Sequence, residues 1–334
     1  MSTQSERAFD DPVPVSDADR AALRRKGIGG SDAAAILGVS RWGSPLGVWA
    51  SKLGLAPGGV ESEEMKMGKL LEPVVANLYS ERTGRRLRRP GFMRHAGPDD
   101  WMIGQIDRMV LHEPVLVEIK TSKRYDGWGP DGSDQIPEDY YCQVQHYIEV
   151  SGAERAECAV LLAGSNLRIY PIAKHPEFIQ IMMDRERTFW TQHVLTGVPP
   201  SLDDTEACAR IIARMFPQEG GDKKIADSHV VALAYELRQA MENRKVAEAD
   251  LRRVENEIKY LMGEHRCLVG DDFEILWTNV KGQTTVDWDR AWEELRAKLP
   301  SSLHEEMDGI RAAWIKTGEP TRRFWSKWTD QTEE

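Results

Sequence analysis

The sequence predicts an α/β fold: a central mixed sheet flanked by helices, followed by a C-terminal extension of one long helical or coiled-coil segment and a small β region. Three observations predict it. Apolar residues recur at helical spacing before residue 84, then switch to strict alternation between Arg85 and Lys120. A helix, two strands and a further helix follow in order through residue 197. Residues 228–262 contain neither Gly nor Pro, as a long unbroken helix requires.

Residues 1–17 read as a flexible tail, and residues 18–217 as the core. DADRAALRRKG is a short helix stopped by Gly27. In IGGSDAAAILG, two glycines precede Ser31 and Asp32, both good N-caps for an alanine-rich helix. Pro45 opens another helix over LGVWASKLG. MKMGKLLEPVVANLYSERTG sets Leu71, Val74, Val75, Leu78 and Tyr79 on one helical face, with Glu72 in the first turns and Gly84 at the end. RRLRRPGFMRH, WMIGQIDRMVL and PVLVEIK then form a three-stranded antiparallel meander. A polar loop, KRYDGWGPDGSDQIP, leads to the helix YYCQVQHYIEVSG, the strands ECAVLLAG and NLRIYPI, and the amphipathic helix PEFIQIMMDRERTFWTQHVLTG.

A linker at 218–227 separates this core from a long helix at 228–263. Leu233, Leu237, Ala240, Ala247, Leu251, Val254, Ile258 and Leu261 fall at heptad a/d positions, interrupted by Arg244, so the helix packs on its own domain or supports self-association. Residues 264–334 form a small α+β region holding six of the eleven tryptophans, a composition that favours a folded segment.

The formal charge of -10 argues against coating nucleic acid by bulk electrostatics, though not against local basic patches. Cys142, Cys158, Cys208 and Cys267 form no CxxC pair, and the histidines show no HxxxH spacing, so neither a disulfide framework nor a zinc site is expected. MSTQSERAFDDPVPV carries acids and prolines where a secretory signal needs a basic start and an apolar stretch. No apolar run approaches the roughly 18 residues of a membrane span. A cytoplasmic location is the expectation.

The chemistry concentrates on one hairpin. A two-residue loop, His112 and Glu113, sets Leu111 opposite Pro114, Met109 opposite Leu116 and Asp107 opposite Glu118. Cross-strand partners have Cβ atoms about 4.5–5.5 Å apart, so two like charges there destabilise the sheet unless something cationic joins them. Lys120, on the same face as Glu118, supplies one positive charge. A hard divalent ion, Mg²⁺ or Mn²⁺, offsets the rest. Phosphodiester hydrolysis uses such a set: one or two ions hold the phosphate and acidify a water, while a lysine orients or deprotonates that water and stabilises phosphate charge. Glu-x-Lys alone on a strand is ordinarily a solvated ion pair; the register with Asp107 is what distinguishes it.

In order, GIGGSDAAAILG, MGKLLEP, IGQID, VEIKTS and YYCQVQHY resemble the YqaJ-type viral recombinases, relatives of the lambda-type exonuclease in the PD-(D/E)XK nuclease superfamily, over roughly residues 20–195. Ile106 stands where the family has a proline, a position that binds no metal. The resemblance implies a restriction-endonuclease-like core and a Mg²⁺-dependent 5′→3′ exonuclease. Its substrate would be linear double-stranded DNA, left with 3′ overhangs for annealing-type recombination. It also implies a phage or prophage origin in a bacterial host, a single-strand annealing protein as partner, and a ring-shaped trimer, which the 228–262 helix could replace with a dimer.

By position, the resemblance makes Asp107, Glu118 and the carbonyl of Ile119 metal ligands and Lys120 the catalytic lysine. Glu72 matches a helical glutamate that approaches the metal from the opposite side, directly or through water; without the family it is an acid favoured by a helix N-terminus. Gln143 and Gln145 match a QxQ element, with Gln143 the better candidate for the site and Gln145 grouped with DNA-contacting or packing residues. Arg24, or Arg25 in its place, and Ser31 match a 5′-phosphate site, and a helix starting at Ser31 would itself favour an anion. Two other readings remain: an endonuclease or nickase with the same site, and an inactive DNA-end-binding scaffold, which the retained acids oppose. Arg82, Arg85, Arg86, Arg88, Arg89 and Arg94 make either a phosphate-tracking ridge or a solvated edge strand. Trp128 either stacks on a base or anchors its own loop.

Overall fold

The computed structural model describes residues 17–56, 62–220, 223–279 and 287–314. The expected tail, part of the expected linker and the end of the tryptophan-rich region, with Trp325 and Trp328, lie outside them. The chain divides into two compact units after Gln218.

The first unit opens with α1 (Asp17–Arg25), α2 (Gly30–Ile36), α3 (Pro45–Leu53) and α4 (Glu63–Thr83). Ser44 and Ser62 cap α3 and α4 by accepting the N–H groups of Gly47 and Met65, and Gly54 and Gly84 end them in the left-handed region. The sheet strands are β1 (Leu87–Arg88), β2 (Gly91–Arg94), β3 (Ile103–Ile106), β4 (Arg108–Val110), β5 (Val115–Ser122), β6 (Arg155–Leu162) and β7 (Asn166–Ala173). Helix α5 (Glu138–Ser151) crosses from β5 to β6, α6 (Pro176–Phe189) runs into a π-helical turn at Trp190–Val194, and α7 (Glu206–Met215) closes the unit. The main sheet has the order β1-β4-β5-β6-β7 and is mixed: β5 and β6 are parallel, the other pairs antiparallel.

Two layers cover it. Val75, Ala76 and Tyr79 of α4 pack with Val115, Val117 and Ile119 on one face. Leu116, Cys158 and Val160 face the larger core, with Ala33 of α2, Trp49 of α3, and Val144 and Ile148 of α5. This alternation along β5 decides the function, because it turns Glu118 and Lys120 toward α5.

Several local expectations are corrected. Each of the first two expected strands is broken once: β1 pairs with β4, and β2 with β3. Leu87 faces Val110 and Gly91 faces Ile106, so both ladders keep one offset, and Pro90 falls opposite Asp107 at the break. Proline has no N–H to give the ladder. The register of the site hairpin is as expected, Met109 facing Leu116, but the turn exceeds two residues, with His112 at φ 66°. Helix α2 starts at Gly30 with Gly29 as its cap, not at Ser31. Glu72 lies in the middle of α4 rather than in its first turns, and Val74 is 47% exposed, the inward face being carried by Val75, Ala76 and Tyr79.

The second unit holds α8 (Ser228–Met262), the hairpin β8 (Cys267–Val269) and β9 (Glu274–Leu276), α9 (Trp288–Lys298) and α10 (His304–Trp314). Of the heptad positions in α8, Leu233, Leu251, Val254 and Leu261 are exposed. No helix among the described residues is long and apolar enough to cross a membrane.

Candidate active site

Glu118 is 2% exposed. Its Oε1 accepts from Lys120 Nζ at 2.6 Å and from Gln143 Nε2 at 2.8 Å, while Gln143 Oε1 accepts from the same Lys120 Nζ at 3.1 Å. Strand β5 thus presents acid and amine side by side, and Gln143 on α5 locks both. Lys120 Nζ also lies 4.8 Å from the centroid of the Tyr140 ring. Glu118 Oε2 is buried with no hydrogen-bond partner among the described residues.

Asp107 occupies the bend between β3 and β4, and its Oδ2 accepts the backbone N–H of Ile119 at 2.9 Å. Burial, then the Glu118 charge, push its carboxyl up to about 8, against the opposing pull of Lys120. Burial raises Glu118 as well. On Lys120 burial acts downward, but the charges of Glu118 and Asp107 outweigh it and keep the ammonium protonated. The trio is an acid-rich cluster held by one buried cation.

Glu72 stands beside this cluster and adds to the repulsion on both acids. Its Oε1, however, accepts from Arg108 Nη1 at 2.6 Å and Arg89 Nη2 at 2.9 Å. Arg108 also donates to the Asp107 carbonyl at 2.6 Å. Arg108 escaped the sequence reading, although a charged residue directly after Asp107 in an apolar strand was a usable signal. Tyr140 left none, since its position under Lys120 depends on how α5 crosses the sheet.

Gln145 does not belong to a DNA-facing group. It is fully buried, donates to the Ala173 carbonyl at 2.8 Å and accepts the His175 N–H at 3.0 Å, which ties α5 to the end of β7. Two positions from Gln143 on a helix, it points to another face.

Arg24 and Ser31 line a common cavity of about 100 Å³ with Lys52, Gln105 and Tyr147; Arg25 is not among its lining residues. The start of α2 is not an open anion site. Asp32 occupies it, accepting the Gly29 N–H at 2.9 Å and pairing with Lys52 at 2.5 Å. Trp128 is buried against Tyr140 and Tyr170 and anchors its loop. The arginine ridge is largely paired inward: Arg82 with Asp131, Arg85 with Glu157, Arg89 with Glu72, and Arg94 with the Asp100 carbonyl.

A divalent cation fits what is present. Two mutually repelling buried carboxylates, one with an unpartnered oxygen, are hard oxygen donors short of positive charge. Among the described residues no group of three or more His, Cys, Asp or Glu converges as a metal cage. The protein ligands would therefore be few, as is usual for Mg²⁺, which retains waters and takes substrate phosphate oxygens.

A mixed sheet whose adjoining strands join Asp107, Glu118 and Lys120, backed by a helix glutamine, defines a restriction-endonuclease-like protein. The chain belongs to the YqaJ-like viral recombinase family, whose domain description matches residues 21–154. It is 32% identical over 267 residues to the protein YqaJ of Bacillus subtilis (strain 168), covering 77% of this chain and 82% of that one. Among solved structures it is similar to an alkaline exonuclease from Laribacter hongkongensis, at 16% identity and a TM-score of 0.44, over 53% of this chain and 92% of that one. A phage-related exonuclease from Haemophilus somnus 129PT is similar at 14% identity and a TM-score of 0.39, over 53% of this chain and 99% of that one.

Proposed function

We propose that the protein is a divalent-metal-dependent 5′→3′ exonuclease of linear double-stranded DNA that leaves 3′ overhangs for annealing-type recombination. The observation that carries this reading is the unpartnered Oε2 of buried Glu118 beside buried Asp107, a charge arrangement that only a cation completes. Family membership supports DNA as the substrate.

Asp107, Glu118 and the Ile119 carbonyl would hold Mg²⁺ or Mn²⁺, as one or two ions. When bound, the ion supplies Lewis-acid polarisation of the phosphate and a water acidic enough to be a nucleophile near neutral pH. Lys120, kept protonated by the two acids, donates to the phosphate and stabilises the charge that grows on it. Gln143 fixes the rotamers of Glu118 and Lys120. Glu72, neutralised by Arg108 and Arg89, positions Asp107 through the Arg108 contact to its carbonyl. Arg24 and Ser31 would receive the 5′-terminal phosphate in their shared cavity. The enzyme would act in the bacterial cytoplasm from a phage or prophage, with a single-strand annealing protein as partner and as a homo-oligomer.

Digestion of linear duplexes bearing 5′-phosphate, 5′-hydroxyl or blocked ends, with Mg²⁺ supplied or withheld, tests this. Metal-dependent release of mononucleotides from 5′-phosphorylated ends is expected. Equal attack on closed circular DNA would replace it with the endonuclease reading, and no cleavage of any substrate would sink both.

A further inference from the structure

A second cavity, of about 370 Å³, adjoins the site. Its walls include Ser31 on α2, Tyr140 and Gln143 on α5, Arg210 and Arg214 on α7, and Trp42 between α2 and α3. Gln143 is the residue that holds Glu118 and Lys120, so one wall is shared with the reacting centre. Ser31 lines the smaller Arg24 cavity as well. The space therefore borders both the place of the scissile phosphate and the proposed place of the terminal phosphate. In a nucleic acid strand, what lies between two successive phosphates is one nucleoside.

Trp42 is built for such a guest. Its side chain is 73% exposed, an arrangement that gains nothing for folding. Yet its turn is fixed: Ser40 Oγ accepts the N–H groups of Trp42 and Gly43, at 3.2 and 2.9 Å. The neighbouring Arg41 clamps Asp139 on α5 with two hydrogen bonds of 3.0 Å. A large aromatic surface held rigid at the mouth of a cavity suits base stacking, which every base can satisfy. Arg210 and Arg214 line the same space with donors and positive charge.

We infer that this cavity receives the 5′-terminal nucleoside of the DNA strand being degraded, its base stacked on Trp42 with Arg214 opposite. The inference rests on the nuclease reading and names the substrate part that the site adjoins.

The test uses 5′-phosphorylated duplexes carrying 2-aminopurine at the terminal position or at the fifth nucleotide, bound to the full chain in EDTA so that stacking is read without cleavage. The expected result is several-fold quenching of the terminal probe at saturating protein and little at the fifth. Quenching is lost in Trp42→Ala and largely kept in Trp42→Phe, with KM for cleavage in Mg²⁺ raised about tenfold in the alanine variant, within the range for loss of one stacked base. Arg214→Ala weakens binding of the same duplex. An unquenched terminal probe, or equal quenching in wild type and Trp42→Ala, overturns the inference. If wild type cleaves normally while the probe stays unquenched, only the nucleoside site fails; Trp42-dependent quenching without cleavage retains the site and removes the nuclease reading.

Discussion

Asp107 accepts the backbone N–H of Ile119 at 2.9 Å, across the point where the ladders break opposite Pro90. The break frees the aspartate from strand geometry, and the Ile119 bond ties it to β5, next to Glu118. A carboxyl whose pKa is higher folded than unfolded binds its proton more tightly when folded. For Asp107, raised to about 8, the metal-free fold is therefore most stable below the ordinary carboxylate range and loses stability as pH climbs toward 8. Thermal unfolding in EDTA should show a falling Tm between about pH 4 and 8, and Mg²⁺ should restore it at the upper end. Asp107→Asn, which keeps an acceptor for Ile119, should remove both the fall and the Mg²⁺ response, and abolish cleavage. A flat wild-type profile, unmoved by Mg²⁺, would refute the charge argument.

Lys120 is the cation that makes Glu118 tolerable before any metal arrives, because it donates to Oε1 at 2.6 Å. Lys120→Ala should lower kcat by about 10²–10⁴-fold, the usual range for a positioned proton donor or acceptor, and leave duplex binding within a few-fold. Lys120→Arg keeps the charge but not the compact ammonium that fits between Glu118 and Gln143, so it should not rescue. Near wild-type turnover by either variant contradicts the role.

Much of this site was legible in the sequence because a strand has a period of two: once Met109 faces Leu116, Asp107 must approach Glu118, and Lys120 must share the face of Glu118. Hydrophobic spacing likewise revealed the helices and strands of the first unit in order. The parts that stayed hidden depend on angles between elements or on local competition. Nothing in the composition of α4 says that Glu72 meets Arg108 and Arg89 before it meets a metal. Ser31 and Asp32 were both plausible caps, and the choice of Gly29 follows from Asp32 reaching back to the Gly29 N–H. Val74 and Val75 are indistinguishable by type, and only the sheet decides which is buried.

Gln143 and Gln145 separate function from structure on one helix. Gln145→Ala leaves the Ala173 carbonyl and the His175 N–H without partners, at a cost of about 1–3 kcal/mol for each buried group left unsatisfied. It should lower Tm while the folded fraction cleaves normally. Gln143→Ala should do the reverse, changing stability little and cutting activity about 10–100-fold, as loss of a group that orients metal ligands does. Activity per folded molecule, measured alongside chemical denaturation, decides, and equal effects of the two variants would dissolve the distinction.

Glu72 joins two arginines of unequal burial: the Arg108 side chain is 8% exposed, the Arg89 side chain 58%. Removing one partner of a buried pair costs roughly 3–5 kcal/mol, and the 27% exposure of Glu72 places Glu72→Ala toward the lower end of that range. Arg89→Ala should stay within about 1 kcal/mol, since exposed pairs contribute little. Adding Arg108→Met to Glu72→Ala should recover part of the lost stability, because the stranded buried charge is gone, without recovering activity if Arg108 positions Asp107 through its carbonyl. Urea denaturation of the four proteins gives the coupling directly, and an Arg89→Ala variant as unstable as Glu72→Ala would show that the exposed arm, not the buried one, holds the glutamate.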